Sequence, residues 1–269
     1  MGRQGEGGVP SSASMTGPGP APPPFERILA WVPFVVSAGL VATALDFALR
    51  RPTLGLVFFE LSLLLFIPQL LQRRKLRRVL RSGNVDAVLS AWESSVERVP
   101  HPETMAPLMR ATALAAHGLA ERAHSALSRA HHGPAWDAAI EQRLVLDTLL
   151  SVFDGEAERA LASSEALEHL PLPPSPFVRG RVAALRSAMA AFARAFAHRA
   201  GRTDLATLKI AAKQNPLVYW AMRYAAAVAS LDQGDRNGAA ALVSGAPSWP
   251  ADSVFAAFHE EIAAQAAAS

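Results

Sequence analysis

Two long apolar stretches, residues 28–49 and 53–71, stand near the start of the chain, divided by Leu49-Arg50-Arg51-Pro52 and closed by Gln72-Arg73-Arg74-Lys75-Leu76-Arg77-Arg78. Each is close to the roughly 20 residues that an α-helix needs to cross a bilayer. The pattern predicts a transmembrane hairpin over 27–72. A soluble core seldom needs a run as apolar as Leu61-Ser62-Leu63-Leu64-Leu65-Phe66-Ile67 directly beside a cationic one. Arg27 and Ala42-Thr43-Ala44 have the features of a cleavable signal, but cleavage there would still leave the second stretch as a membrane span.

From Gln72 onward the pattern changes to amphipathic helices broken by glycine turns. The turns are Ser82-Gly83-Asn84, His117-Gly118-Leu119, Asp154-Gly155-Glu156, Ala200-Gly201-Arg202 and Gln233-Gly234-Asp235, roughly 33 to 46 residues apart. Prolines at 100, 102, 134, 171, 173, 174, 176, 216, 247 and 250 fall between the units. Val88, Leu89, Trp92, Val96 and Val99, with Asp86, form one stripe, and Val145, Leu149, Val152 and Phe153 another; stripes at helical spacing are core faces. Val254, Phe255, Phe258 and Ile262 give the last helix one apolar face, with Glu260, Glu261 and Gln265 turned away, as a terminal cap requires.

Periods in this range signal stacked helical hairpins, and particular residues sharpen the reading. Gly118 is followed five residues later by Ala123, Gly155 by Ala160, Gly201 by Ala206 and Gly234 by Ala239, while Gly83 has Ala87 one place early. Ala111 and Ala130 extend the match around Gly118. In these positions the chain resembles the tetratricopeptide repeat (TPR) family, in which a small residue follows the turn where two helices pack closely. Thr148 and Arg194 depart from the family's preference for a small residue, and the longest interval implies an insertion around residues 170–178. The expected fold is all-α: a two-helix transmembrane hairpin followed by a TPR-like α-solenoid of about five helical hairpins. The resemblance implies a concave surface lined by the first helix of each pair, presenting Met105, Leu108, Gln142, His198, Arg199 and Tyr224. That lining lacks a Lys and Asn cluster for a terminal carboxylate, so an amphipathic helix or an extended apolar peptide is the expected guest.

Charge sets the orientation. Arg73, Arg74, Lys75, Arg77, Arg78 and Arg81 follow the second stretch, against Arg50 and Arg51 between the two and Arg27 before the first. The excess places both termini in the cytoplasm. The formal charge of +3 is concentrated beside the membrane, which points to anionic lipid headgroups and away from nucleic acid. The absence of cysteine excludes disulfides and thiolate metal sites. Heavy use of alanine and arginine, with lysine only at 75, 209 and 213, associates the chain with a GC-rich bacterial genome and hence an inner membrane. Three parts result: a Pro- and Gly-rich tail, 1–26, too poor in apolar residues to order itself, the hairpin, 27–72, and the helical repeat domain, 73–269.

Within the hairpin, Asp46 is one turn before Arg50, an ordinary i, i+4 pair. Glu60 is near the middle of the second arm, where an ionised carboxylate is penalised. A hydrogen bond to Thr43 on the small-residue face of the first arm, a contact with another membrane protein and an ion pathway are the alternatives. Elsewhere the catalytic motifs fail. His259-Glu260-Glu261-Ile262-Ala263 begins like a zincin helix but has Ala263 where the second ligand belongs, and neither a G-x-S-x-G elbow nor a phosphate-binding loop occurs. His117, His124 and His131 are spaced by seven, but the Gly118 turn intervenes. The sequence therefore predicts no cofactor, metal or small-molecule substrate. It predicts a non-enzymatic, membrane-anchored, cytoplasm-facing interaction scaffold with protein partners. The alternatives are an accessory subunit of a membrane complex acting through Glu60, and a membrane-tethered hydrolase.

Overall fold

Glycine and proline punctuate the helices much as the pattern predicts. The computed structural model describes residues 71, 74–96 and 99–267, so the tail, Arg73 and, apart from Leu71, the two apolar stretches with Thr43 and Glu60 lie outside the described residues. The described residues contain helices and no strand. Residues 74–81 are helical (α1), followed by α2 (Val85–Val96), α3 (Pro102–Ala116), α4 (Ala120–Leu127) and the short α5 (Pro134–Ala138). Then come α6 (Ile140–Phe153), α7 (Ala157–His169), α8 (Pro176–Phe196), α9 (Arg202–Gln214), α10 (Tyr219–Asp232), α11 (Arg236–Val243) and α12 (Val254–Ala267). Among the described residues no helix is long and apolar enough to cross a membrane.

Proline starts α3, α5 and α8 at their first position, where its missing N–H is not needed and its fixed φ suits the helix. Four helices end in the same way. Gly118, Gly155 and Gly234 have φ of 74°, 78° and 78°, and His198 takes the same left-handed region at 55°. The following N–H in each case reaches back to close the helix: Leu119 to Leu114 O, Glu156 to Ser151 O, Arg199 to Arg194 O and Asp235 to Ser230 O, at 2.7–3.0 Å. This double closure satisfies the last carbonyls and reverses the chain.

The small residues after three of these turns are where close packing needs them. Ala123, Ala160 and Ala239 are fully buried. The fourth unit departs from the expected register. Gly201 is not the turn residue; it has φ −90° and caps the start of α9, with the left-handed residue three places earlier at His198. Ala206 consequently falls on the exposed side, and Leu208 is the fully buried residue of that helix. In the first unit it is Val88, five residues after Gly83, that is buried, with Ala87 only half-buried. The two residues out of keeping with a small-residue position are each accommodated by a hydrogen bond: Thr148 Oγ1 donates to Leu144 O, and Arg194 makes a two-pronged contact with Asp204.

The core runs through all the paired helices, and the alanines that fill α8 and α10 let them approach closely. Residues 170–175 are irregular, while 176–178 of the span where an insertion was expected already belong to α8, and Arg186 pins the irregular segment. The guanidinium, almost fully buried, donates to Leu170 O and Pro171 O and to both carboxylate oxygens of Glu141. Arg223 does the equivalent for α11, donating to Leu242 O, Ala241 O and Tyr219 Oη, which satisfies carbonyls at a helix end.

The carboxyl-terminal part does more than cap the last pair. After α11 the chain runs back past the first two turns. A Cβ on Gly83 would be 2.5 Å from Pro247, and one on Gly118 would be 2.7 Å from Ser253 Oγ, so both glycines supply room as well as conformation. Val254 N–H donates to Gly118 O at 2.9 Å and Ser253 Oγ to His117 O at 2.9 Å. Trp220 Nε1 donates to Arg81 O at 2.8 Å, joining α10 to the end of α1. Phe255 is fully buried and meets Phe153, Tyr224, Trp249 and Phe258, edge-on, stacked or tilted. Phe258 continues the cluster to Phe196.

Candidate functional site

The six residues expected on an open concave surface do not share one. Leu108 and Tyr224 are fully buried, the latter beneath Phe255 and Trp249. The carboxyl-terminal segment covers Tyr224. Trp249 Nε1 donates to Tyr224 Oη at 2.7 Å, and burial pushes the Tyr224 hydroxyl up to about 12. Met105 is half-buried against the core and Gln142 is exposed. His198 and Arg199 are exposed but engaged separately, His198 with Asp232 at 2.9 Å and Arg199 with Glu158 at 2.6 Å.

The basic run divides in a similar way. Arg74, Lys75, Arg77 and Arg78 are exposed. Arg81 leaves the patch: its guanidinium lies over the Tyr219 ring, 4.3 Å from the centroid, and it is half-buried. The spaced histidines also separate. His117 is buried with Nδ1 donating to Ala113 O at 2.8 Å, His124 pairs with Asp154, and His131 is exposed in the loop after α4. Burial depresses the His117 imidazole below its ordinary value, against the smaller opposing effect of the Ala113 carbonyl. Among the described residues no three His, Asp or Glu side chains are grouped as metal ligands.

An open groove of about 410 Å³ lies among α4, α5, α6 and α7. Leu127, Ile140, Leu144, Leu146 and Leu150 supply its apolar lining. One wall is Trp136, which is stacked on His132 at 4.2 Å and covered by the Arg143 guanidinium at 4.4 Å from the ring centroid. Such a cation over an aromatic face holds both side chains in place. The opposite wall is charged and internally satisfied. Asp147 accepts from Arg159 at 2.6 Å and from Ser163 Oγ, Arg159 also reaches Glu156 at 3.1 Å, and His124 Nε2 is 2.9 Å from Asp154. The Asp147 pairing holds the Arg159 guanidinium above its ordinary value.

The charged side chains of this wall are paired with one another. An Asp–His pair activates a nucleophile when a hydroxyl or thiol hydrogen-bonds to the imidazole, and among the described residues no hydroxyl does so at His124. Periodicity does not reveal the groove, because its wall is the five-residue α5, too short to show a repeat, joined to α6 by the Trp136–Arg143 contact. A Pro-Ala-Trp-Asp sequence after Gly133 was the available signal. No protein-family profile, no curated protein and no solved structure matches the chain.

Proposed function

We propose that the protein is a non-enzymatic, membrane-anchored interaction scaffold, with a TPR-like solenoid of five helical hairpins held at the cytoplasmic face of a bacterial inner membrane by an amino-terminal transmembrane hairpin. The solenoid reading is supported by the recurring left-handed turns and by the buried Ala123, Ala160 and Ala239. Anchorage is supported by the two apolar stretches and the cations after them. The exposed Arg74, Lys75, Arg77 and Arg78 suit anionic lipid headgroups.

The observation that carries the reading is the groove beside Trp136. Its apolar lining is open while its charged rim is already paired, so an entering apolar side chain strips water from leucines without stranding a charge. An amphipathic helix that lays its apolar face into the groove is the guest this geometry suits. The test is site-specific photocrosslinking of the full-length protein in cells, with the reactive residue at Leu144 or, as a control, at the exposed Ala206. Discrete protein adducts at Leu144, lost on Leu127→Asp and absent at Ala206, are expected. Adducts of equal yield at both positions, or none at Leu144, would remove the groove as the partner site. An alkaline phosphatase fused to the carboxyl terminus is expected to be inactive; periplasmic activity would overturn the cytoplasmic orientation.

A further inference from the structure

The helix α8 is longer than its neighbours. It runs parallel to α6, since Arg186 pairs with Glu141 near the start of α6 and Phe192 meets Phe153 at its end. Ten residues of α8 precede Arg186; Val182, Ala183 and Leu185 among them are half-buried, and Arg179 Nε donates to Pro173 O at 3.2 Å. Residues 174–181 are all exposed. At this corner Leu172, Phe177 and Val178 are 42%, 68% and 46% exposed, an unusual concentration of large apolar side chains with nothing described packed over them. Arg179 and Arg181 stand among them, and no Asp or Glu occurs between Glu168 and Asp204.

The same chemistry recurs where the chain enters the unit. Leu71 and Leu76 are 57% and 41% exposed beside Arg74, Lys75, Arg77 and Arg78, and no Asp or Glu occurs between Glu60 and Asp86. Both elements end against the carboxyl-terminal segment. The end of α1 is at the carboxyl-terminal strap, where Gly83 meets Pro247 and Trp249, and the end of α8 is at Phe258 of α12. None of the six cations is ion-paired with a described residue.

We propose that the corner at residues 171–181 is a second membrane contact, in which Leu172, Phe177 and Val178 enter the interface of an anionic bilayer and Arg179 and Arg181 bind its lipid phosphates. Apolar tips flanked by arginine bind such surfaces through combined burial and charge. The contact would fix the orientation of the helical unit on the surface beyond what a tether at Leu71 can do. This inference rests on the membrane-anchored reading above.

The absence of cysteine allows a single label. The full-length Val178→Cys protein, carrying an environment-sensitive fluorophore, is reconstituted in phosphatidylcholine vesicles with or without phosphatidylglycerol, and quenching by shallow spin-labelled lipid is read. At least about twofold more quenching is expected in the anionic vesicles, abolished by Arg179→Glu with Arg181→Glu. A label that stays in water there, while a second protein labelled at Leu64→Cys is quenched, would overturn the contact and leave the anchor standing. Failure of both labels to be quenched, with protein that does not float with vesicles, would overturn the anchor and this contact with it. Protection that rises with protein density and ignores spin-labelled lipid would show a protein partner at the corner and also overturn the proposal.

Discussion

The rings of Tyr224 and Phe255 are stacked, with centroids 4.9 Å apart and planes 20° from parallel, and neither side chain has access to solvent. The pair fastens α12 to the middle of α10. Phe255→Ala removes the ring from a site also lined by Phe153 and Trp249, and the expected loss is about 3–5 kcal/mol. Chemical denaturation measures it, and limited proteolysis should show new cleavage between Gly245 and Val254. A loss under about 1 kcal/mol would mean that the carboxyl-terminal segment is held no better than an ordinary surface residue.

Ala160 and Ala206 follow their glycines at the same spacing but differ in surroundings, one fully buried and the other exposed. Ala160→Leu is expected to overpack the α6–α7 pair and cost about 1–3 kcal/mol. Ala206→Leu is expected to stay within about 0.5 kcal/mol of the parent. Equal costs in thermal denaturation would contradict the register described for α9.

Asp204 holds the fourth pair together by accepting from Arg194 at 3.1 and 2.6 Å and from the Gly201 N–H at 2.9 Å. The Arg194 contact keeps its carboxyl below the usual carboxylate range, with burial opposing. A depressed folded-state value means that the unfolded chain takes up the proton first as pH falls. The stabilisation is thus complete above the ordinary carboxylate pKa and is lost as pH drops through the lowered one. Asp204→Asn should cost about 1–3 kcal/mol at neutral pH and weaken the acid-side decline of the melting temperature.

His117 predicts a second slope, nearer neutrality. Burial lowers its imidazole below the ordinary 6.5, so the folded form resists a proton that the unfolded chain accepts. The stability it protects is complete above pH 6.5 and falls as pH drops from there toward the depressed value. In His117→Gln the melting temperature should change less between about pH 7 and pH 5 than in the parent. An unchanged profile would show that other groups set the dependence.

The turns at Gly118, Gly155 and Gly234 were readable because a positive φ leaves a mark on residue choice, and glycine is what that conformation favours. His198 adopts the same conformation without leaving the mark, so the sequence pattern points to Gly201 as the turn and to Ala206 as a packing residue. The apolar stripe of Val145, Leu149 and Val152 was readable as core from spacing alone. What periodicity could not convey was the destination of residues 245–255. Pro247 and Ser253 meet Gly83 and Gly118 across more than a hundred residues of chain, and no local pattern encodes such a meeting. The open surface expected at Tyr224 is covered for that reason. Arg186 was similarly invisible, since its carbonyl partners at Leu170 and Pro171 carry no sequence signal.

The bond from Val254 to Gly118, with that from Trp220 to Arg81, makes the helical array a loop closed on itself. A linear stack can fray from its last unit inward, each unit depending mainly on its neighbours, and can gain or lose a unit without rewriting the rest. A closed one has no free end from which to fray. Removing α12 here strips cover from the second turn, so cooperativity should extend over the whole unit. The contacts that complete it join residues 139 and 136 positions apart, and contacts of such long range slow folding, because the loop must close before they form. Lengthening or shortening the array by one pair is therefore expected to break the joint that the carboxyl-terminal segment makes with the first two turns.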